Sequence, residues 1–193
     1  MLIFVSCSKK IEKSESSTSV VKENTEADEY IKYTILKGQQ YSDKSVFLLL
    51  KLSKLSFKVK FDSSAIYKTT QESNQTDINK LLGFSDNNTD HHQYSARFGW
   101  RWSNNALRLF AYVYNEGVMS FKEIGTVKIG DEITCSIKVA GDKYLFTLND
   151  TEIIMPRAST TTVAEGFKLW PYFGGDELAP QTICIWIKKL PTE

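Results

Sequence analysis

The sequence lacks any apolar run long enough to cross a bilayer as a helix, and it lacks an excess of either charge. Its 193 residues hold 24 Lys and Arg against 23 Asp and Glu, which gives a net charge of +1. A balanced chain of this kind has no general attraction to polyanions. We therefore expect no nucleic-acid partner and no general affinity for an anionic membrane surface.

Histidine, cysteine and proline are also scarce, with two, three and four copies respectively. The His and Cys positions do not have the spacing of a zinc motif. The segment Gly174-Gly175 lacks the lysine and the following helix of a phosphate-binding loop. We therefore predict no metal site and no cofactor, except that Asp176 and Glu177 could bind a structural calcium ion.

The chain opens with a short apolar segment that ends at Ser6-Cys7 and is followed by polar residues. This segment resembles the lipobox of bacterial lipoproteins, in which a small residue precedes a lipidated cysteine, although Phe4 stands where that motif usually has Leu. The apolar run is shorter than the roughly 7–15 residues of a signal peptide. We interpret residues 1–7 as a truncated lipoprotein signal whose start lies upstream, with Cys7 as the lipidation site. This predicts lipid anchoring in the cell envelope, on the outer or inner membrane and in the periplasm or at the surface.

Residues 8–29 are rich in Ser, Thr, Glu and Lys and hold few large apolar side chains. Such a segment cannot bury enough surface to offset its conformational entropy. We predict that it is a disordered tether, and that residues 30–193 form one folded domain.

Alternation of apolar and polar residues dominates the rest of the chain, as in 55–61 and 133–139. This period of two, interrupted by turn residues, predicts an all-β fold, an antiparallel β-sandwich. A single helical turn is expected within Asp77–Leu82. Cys135 is in phase with the Ile residues of its segment and Cys184 is out of phase, so the thiols should face opposite ways and form no disulfide.

Two adjacent segments carry the candidate binding surface. The alternation places Ala96, Phe98, Trp100 and Trp102 on one face of the first segment, and Leu107, Leu109, Ala111 and Val113 on one face of the second. The opposite faces then merge into a surface that carries Arg97, Arg101, Arg108, Tyr112 and Tyr114. Guanidinium groups bind carboxylates and aromatic rings stack on sugars, so this surface suits a sugar acid. Alternatively, it is an ordinary solvated face held by cation–π contacts.

The segments Lys80–Phe84, Ala96–Arg101 and Leu109–Tyr112 resemble the core of jelly-roll polysaccharide lyases that act on alginate or glucuronan. The resemblance implies a concanavalin-A-like sandwich with a concave substrate groove. The segments 169–175 and 179–183 resemble closing strands of uncharacterised secreted proteins of the Bacteroidetes type. Leu82 replaces the Pro of the family's turn, and Ser85-Asp86 replace a Gly pair, so the fold can be shared without the activity.

If the activity is shared, the resemblance implies β-elimination from a uronic acid. Cations would neutralise the carboxylate, and a base and an acid would move the protons. The implied residues are Lys80, Arg97 and Arg101 as cations, Tyr112 or Tyr114 as acid or base, and His91 or His92 as base. Because neighbours on a strand face opposite ways, at most one histidine should enter the groove; both could instead be solvated in a loop. Trp170 and Tyr172 could form a sugar platform or pack in the core.

Three functions therefore remain open from sequence. The first is binding of an acidic polysaccharide without catalysis, which we favour slightly. The second is a polysaccharide lyase using the same face. The third is a structural lipoprotein whose face contacts another protein.

Overall fold

The computed structural model describes residues 29–191, which form two antiparallel six-stranded sheets packed face to face. The first sheet has the order β1-β12-β3-β8-β9-β10, and its strands are β1 (Ile31–Ile35), β3 (Lys54–Phe61), β8 (Ile133–Ala140), β9 (Lys143–Leu148), β10 (Thr151–Pro156) and β12 (Ile183–Lys189). The second has the order β2-β11-β4-β5-β6-β7, and its strands are β2 (Leu49–Leu52), β4 (Asn79–Ser85), β5 (Ser95–Ser103), β6 (Ala106–Asn115), β7 (Val118–Val127) and β11 (Ala164–Leu169). The predicted antiparallel sandwich is confirmed.

The helical turn expected within Asp77–Leu82 is wrong. That segment enters β4, where Lys80 pairs with Gly99 of β5, so its backbone groups are satisfied by a neighbouring strand. A short 3-10 helix lies just before it, at Glu72–Thr76. Among residues 29–191 no helix is long and apolar enough to span a membrane.

The alternation identifies the core faces correctly. Phe98 and Trp100 of β5, and Leu109 of β6, have no exposed surface and pack between the sheets. β5 and β6 pair along their whole length, from Ser95 opposite Tyr114 to Ser103 opposite Ala106, so the outward residues of the two strands are neighbours. Trp102 is only partly buried against this core.

An irregularity in β4 changes the alternation next to the outward face. The register with β5 shifts between Lys80 and Gly83, and both Leu81 and Leu82 are buried in the core. Two successive core residues are what a β-bulge permits, because one extra residue is inserted on one strand. Gly83 consequently pairs with Arg97.

The prediction that Cys135 and Cys184 do not pair is confirmed. Cys135 is fully buried in the core, Cys184 is half-buried, and both are free thiols. The lipobox of residues 1–7, and the tether up to residue 28, lie outside the described residues. These two interpretations therefore stay predictions, as does the domain boundary at residue 30.

Candidate functional site

A cavity of about 790 Å³ lies on the outward face of the second sheet. Its walls come from strands β4, β5, β6 and β11, from the loop that precedes β2 and from the turn that precedes β5. The cavity gathers all the site residues predicted for the folded domain apart from two arginines, namely Lys80, His91, His92, Arg97, Tyr112, Tyr114, Trp170 and Tyr172.

Arg97 forms part of the cavity floor and exposes only 7% of its surface. Its Nη2 donates to the carbonyl of Trp170 at 2.7 Å and to that of Leu81 at 3.2 Å. Its Nε is buried without a hydrogen-bond partner among residues 29–191. Burial lowers the pKa of Arg97, but a guanidinium remains charged at neutral pH.

Arg97 has room only because Gly83 lies opposite it. A Cβ atom on Gly83 would lie 2.2 Å from the Cβ of Arg97 and 2.3 Å from the carbonyl oxygen of Ala96. Both contacts are far below van der Waals distance, so the strand pair excludes any side chain at this position.

Two lysines add positive charge to the same cavity. Lys80 donates to the carbonyl of Ile78 at 2.7 Å, and its Nζ lies 4.9 Å from the centre of the Tyr112 ring. Burial, assisted by the charge of Arg97, lowers the pKa of Lys80 to about 8. Burial likewise lowers the pKa of Lys168, which lies over the Trp170 ring, to about 8. At neutral pH both lysines are largely charged.

Tyrosine rings form one wall of the cavity. Tyr112 and Tyr114 follow each other on the outward face of β6, with ring centres 5.8 Å apart. Burial, followed by the neighbouring Tyr114 hydroxyl, raises the pKa of Tyr112, so this phenol stays protonated at neutral pH. Tyr172 meets Tyr41 edge to face at 4.9 Å.

Both histidines line the cavity, so the expectation that at most one would enter is wrong. The physical reason is that His91 and His92 lie in a turn and not on a strand, with the Gln93 amide donating to the Asp90 carbonyl at 2.9 Å. Their ring centres are 4.0 Å apart. Burial, followed by the proximity of His92, lowers the pKa of His91, so its imidazole is neutral at neutral pH.

Arg101 and Arg108 lie on the same face of the sheet but do not line the cavity. Arg101 donates to the carbonyl of Thr76 and lies over the Phe110 ring, while Arg108 is paired with Glu123 at 2.8 Å. Arg101 lies four residues from Arg97 along β5, which is a separation of about 13 Å. This corrects the expectation that Arg97, Arg101 and Arg108 share one hollow.

Sequence reasoning missed the loop that covers one side of the cavity. Phe47 in this loop is 75% exposed and packs against Phe167, with ring centres 5.5 Å apart. The Trp170 indole donates to the carbonyl of Val46 at 2.6 Å, and its ring stacks on Tyr33. Trp170 is thus both a wall of the cavity and a contact to the loop. The only signal in the sequence was the continuous apolar run from Val46 to Leu50, which does not alternate.

Glu177, a candidate ligand for calcium, is held by hydrogen bonds. Its carboxylate accepts from the Thr70 and Gln71 amides at 2.9 and 2.6 Å, and from the Asn74 side chain at 3.0 Å. These bonds fix the position of Glu177, and a calcium site at Asp176 and Glu177 stays a prediction. A second cavity, of about 750 Å³, lies elsewhere and is lined by residues that include Trp102 and Asp131.

Comparison with solved structures agrees with this architecture. The chain is similar to the alginate lyase AlyC3, with a TM-score of 0.58 and 10% identity over 85% of this chain and 74% of that one. It is also similar to a glycoside hydrolase family 16 endo-glucanase from Bacteroides ovatus (TM-score 0.54, 12% identity, 83% and 80% covered). A laminarinase catalytic domain from Thermotoga maritima gives a TM-score of 0.54 at 11% identity, with 83% and 75% covered.

These similarities establish a concanavalin-A-like jelly roll that resembles the alginate lyases in fold. No family model matches the sequence, and no curated protein matches it either. At 10–12% identity the likeness extends to the fold and carries no residue roles.

Proposed function

We propose that the cavity binds an acidic polysaccharide, with the carboxylate of a uronic acid beside Arg97 and Lys80. The observation that carries this proposal is the pair of cations that line the cavity, the buried Arg97 and the half-buried Lys80. Both donate to backbone carbonyls, and neither forms a salt bridge within residues 29–191, although the charge of Asp77 acts on Lys80. A buried charge such as that of Arg97 is costly without a counter-charge, and an anionic ligand would supply one.

The rest of the cavity suits a sugar. Tyr112, Tyr114, Trp170 and Tyr172 give it aromatic surfaces on which the C–H face of a pyranose can stack. A cavity of about 790 Å³ that opens to solvent accommodates several sugar units. The similar structures include proteins whose names refer to alginate and to glucans, which supports a polysaccharide over a small metabolite.

Binding is tested by gel retardation and calorimetry with alginate, glucuronan and pectin, and with neutral laminarin as the reference polymer. We expect retention on at least one acidic polymer and a loss of about tenfold or more in affinity for Arg97→Gln, since hydrogen bonds to charged groups contribute about 1.5–3 kcal/mol. Arg108→Gln is the matched control, because Arg108 lies on the same face outside the cavity. Equal binding of laminarin, or equal loss in both variants, would contradict the proposal.

A second candidate function is cleavage by β-elimination, favoured by the presence of His91 and Tyr112 in the same cavity as the cations. A neutral His91 would take the proton from C5 of the uronic acid, and the electron pair would form the C4–C5 double bond as the C4–O bond breaks. Tyr112, whose pKa is raised, would protonate the leaving oxygen. Rising ultraviolet absorbance from unsaturated uronate products, abolished by His91→Gln, is the expected signal. Binding without any rise leaves the non-catalytic function.

We further propose that Cys7 is lipidated and that residues 8–29 tether the domain to the cell envelope. The support is the apolar segment that ends at Ser6-Cys7 and the polar composition that follows. Metabolic labelling with a radioactive fatty acid in the native host tests this. Incorporation into the wild-type chain and none into Cys7→Ser is expected, and equal labelling of both would refute it.

A further inference from the structure

One side of the cavity carries three consecutive side chains that can all act as metal ligands. Asp90, His91 and His92 form the turn before β5, and one ligand atom from each lies within 4.8 Å of the others. On a strand the two imidazoles would face apart. Here the His92 amide donates to the Asp90 carboxylate at 2.8 Å, which holds the turn so that both rings lie beside that carboxylate.

The distances leave these groups close but not bonded to one another. The Nδ1 of His91 lies 3.6 Å from Asp90 Oδ2, and the Nδ1 of His92 lies 3.4 Å from Asp90 Oδ1. The first distance is too long for a hydrogen bond. The Nδ1 of His91 is also buried and has no hydrogen-bond partner among the described residues. A buried imidazole nitrogen is normally satisfied, so this atom calls for a partner that is not a side chain of the turn.

The ligand chemistry selects the class of ion. Two imidazole nitrogens and one carboxylate oxygen suit zinc and its neighbours in the first transition row, whereas calcium and magnesium prefer oxygen ligands alone. Three protein ligands leave coordination positions open, as in zinc sites that bind a further ligand. Because His91 and His92 line the cavity, those positions would be accessible from it.

We propose that Asp90, His91 and His92 form a divalent transition-metal site of the zinc type at the rim of the cavity. The sequence spacing predicts no metal site, because no standard zinc motif places its ligands at three successive positions. The site stands on the geometry of the turn and does not require that the cavity bind a polysaccharide. If both proposals hold, a uronic-acid carboxylate could bind the metal and Arg97 together.

The experiment uses the full chain without an affinity tag, freed of metal and titrated with zinc by calorimetry. The chain contains only two histidines, so their ring resonances report on this site directly by NMR. We expect saturation at one zinc per chain with shifts of both imidazoles. Removing a group that only hydrogen-bonds to a metal ligand weakens metal binding by about 10–100-fold. His92→Ala removes a ligand itself, so it should weaken zinc binding by at least about tenfold.

Asp131→Asn is the matched control, since Asp131 is an exposed carboxylate at the other cavity and should leave zinc binding unchanged. The double variant His91→Ala/His92→Ala keeps every cysteine and therefore reveals binding by thiols. Equal zinc binding by this double variant, or saturation without imidazole shifts, overturns the proposal. The two proposals are tested separately. Zinc binding by the variants is measured without any sugar, and the polysaccharide titration is repeated in the presence of a chelator, so that either proposal can fail while the other holds.

Discussion

Arg157 donates from Nε to a carboxylate oxygen of Asp86 at 2.8 Å, in the protein interior where neither side chain exposes more than 2% of its surface. The Tyr144 hydroxyl donates to the same carboxylate at 2.6 Å, and Arg157 also donates to the carbonyls of Gly141 and Val163. The Asp86 amide bonds to the carbonyl of Tyr94. The backbone bond closes the loop that carries the two histidines, and the ion pair holds Asp86 at the start of that loop.

The first prediction concerns the stability that this pair provides. Asp86→Asn leaves Arg157 as a buried charge without a counter-charge, and breaking a buried pair in this way typically costs about 3–5 kcal/mol. The matched control is Glu123→Gln, which removes the partner of Arg108 at the surface. An exposed pair contributes about 0–1 kcal/mol. Urea denaturation measures both, and similar losses in the two variants would show that Asp86 has no special role.

The second prediction follows from the pKa of Asp86, which hydrogen bonds from Arg157 and Tyr144 hold below its usual value against the opposing effect of burial. A carboxylate with a lowered folded pKa contributes stability above its unfolded pKa of about 3.9 and loses it as pH falls through the folded pKa. The free energy of unfolding should therefore decrease as the pH is lowered below about 4. The difference in this free energy between wild type and Asp86→Asn should become smaller over the same range. A gap that is constant from neutral to acid pH would exclude this linkage.

The third prediction concerns the pH dependence of ligand binding. Because the pKa of Lys80 is lowered to about 8, its charge is lost as pH rises through that value. Affinity for an acidic oligosaccharide should therefore fall between about pH 7 and 9. Lys80→Arg should retain more affinity at the alkaline end, since arginine stays charged. Lys168, with a pKa of about 8 in the same cavity, should account for the remaining dependence. Calorimetry across this pH range measures the affinity. A wild-type affinity that does not change with pH would contradict a role for the two lysines in binding.

The fourth prediction tests the space required by Arg97. Gly83→Ala places a Cβ 2.2 Å from the Cβ of Arg97, so strands β4 and β5 must separate. We expect a loss of about 1–3 kcal/mol in unfolding free energy, as for overpacked cores, together with weaker ligand binding. Gly125→Ala is the control, since its nearest neighbour would be 3.8 Å away. Thermal melts and the binding assay measure both effects; equal behaviour of the two variants would argue against this account of Gly83.

The sequence alone places a residue correctly where the direction of its side chain is set by the local backbone. The assignment of Phe98 and Trp100 to the core, and of Arg97 and Tyr112 to the outward face, required only the period of two in an extended strand. The separation of Cys135 from Cys184 followed from the same rule. Alternation failed at Leu81-Leu82, where a bulge in β4 puts successive residues in the core.

Asp86 shows a different limit of prediction from sequence. In the sequence it stands out only as a departure from the Gly pair of the jelly-roll lyases. In the structure its partners, Tyr144 and Arg157, come from segments 58 and 71 residues away. No local sequence pattern predicts such a pair, because the charge of Asp86 is stabilised by groups that only the folded chain brings together.

The sequence by itself determined the all-β class and the faces of the strands, because side-chain direction in a strand is a local property of the backbone. It also determined that arginine and tyrosine share the outward face of two neighbouring strands. Only the tertiary structure decided which of these residues share a cavity, since that depends on separation along the strands and on a loop that covers one side. The tertiary structure alone decided that ligand atoms of Asp90, His91 and His92 lie within 4.8 Å of one another, because a turn held by hydrogen bonds does not follow the alternation of a strand.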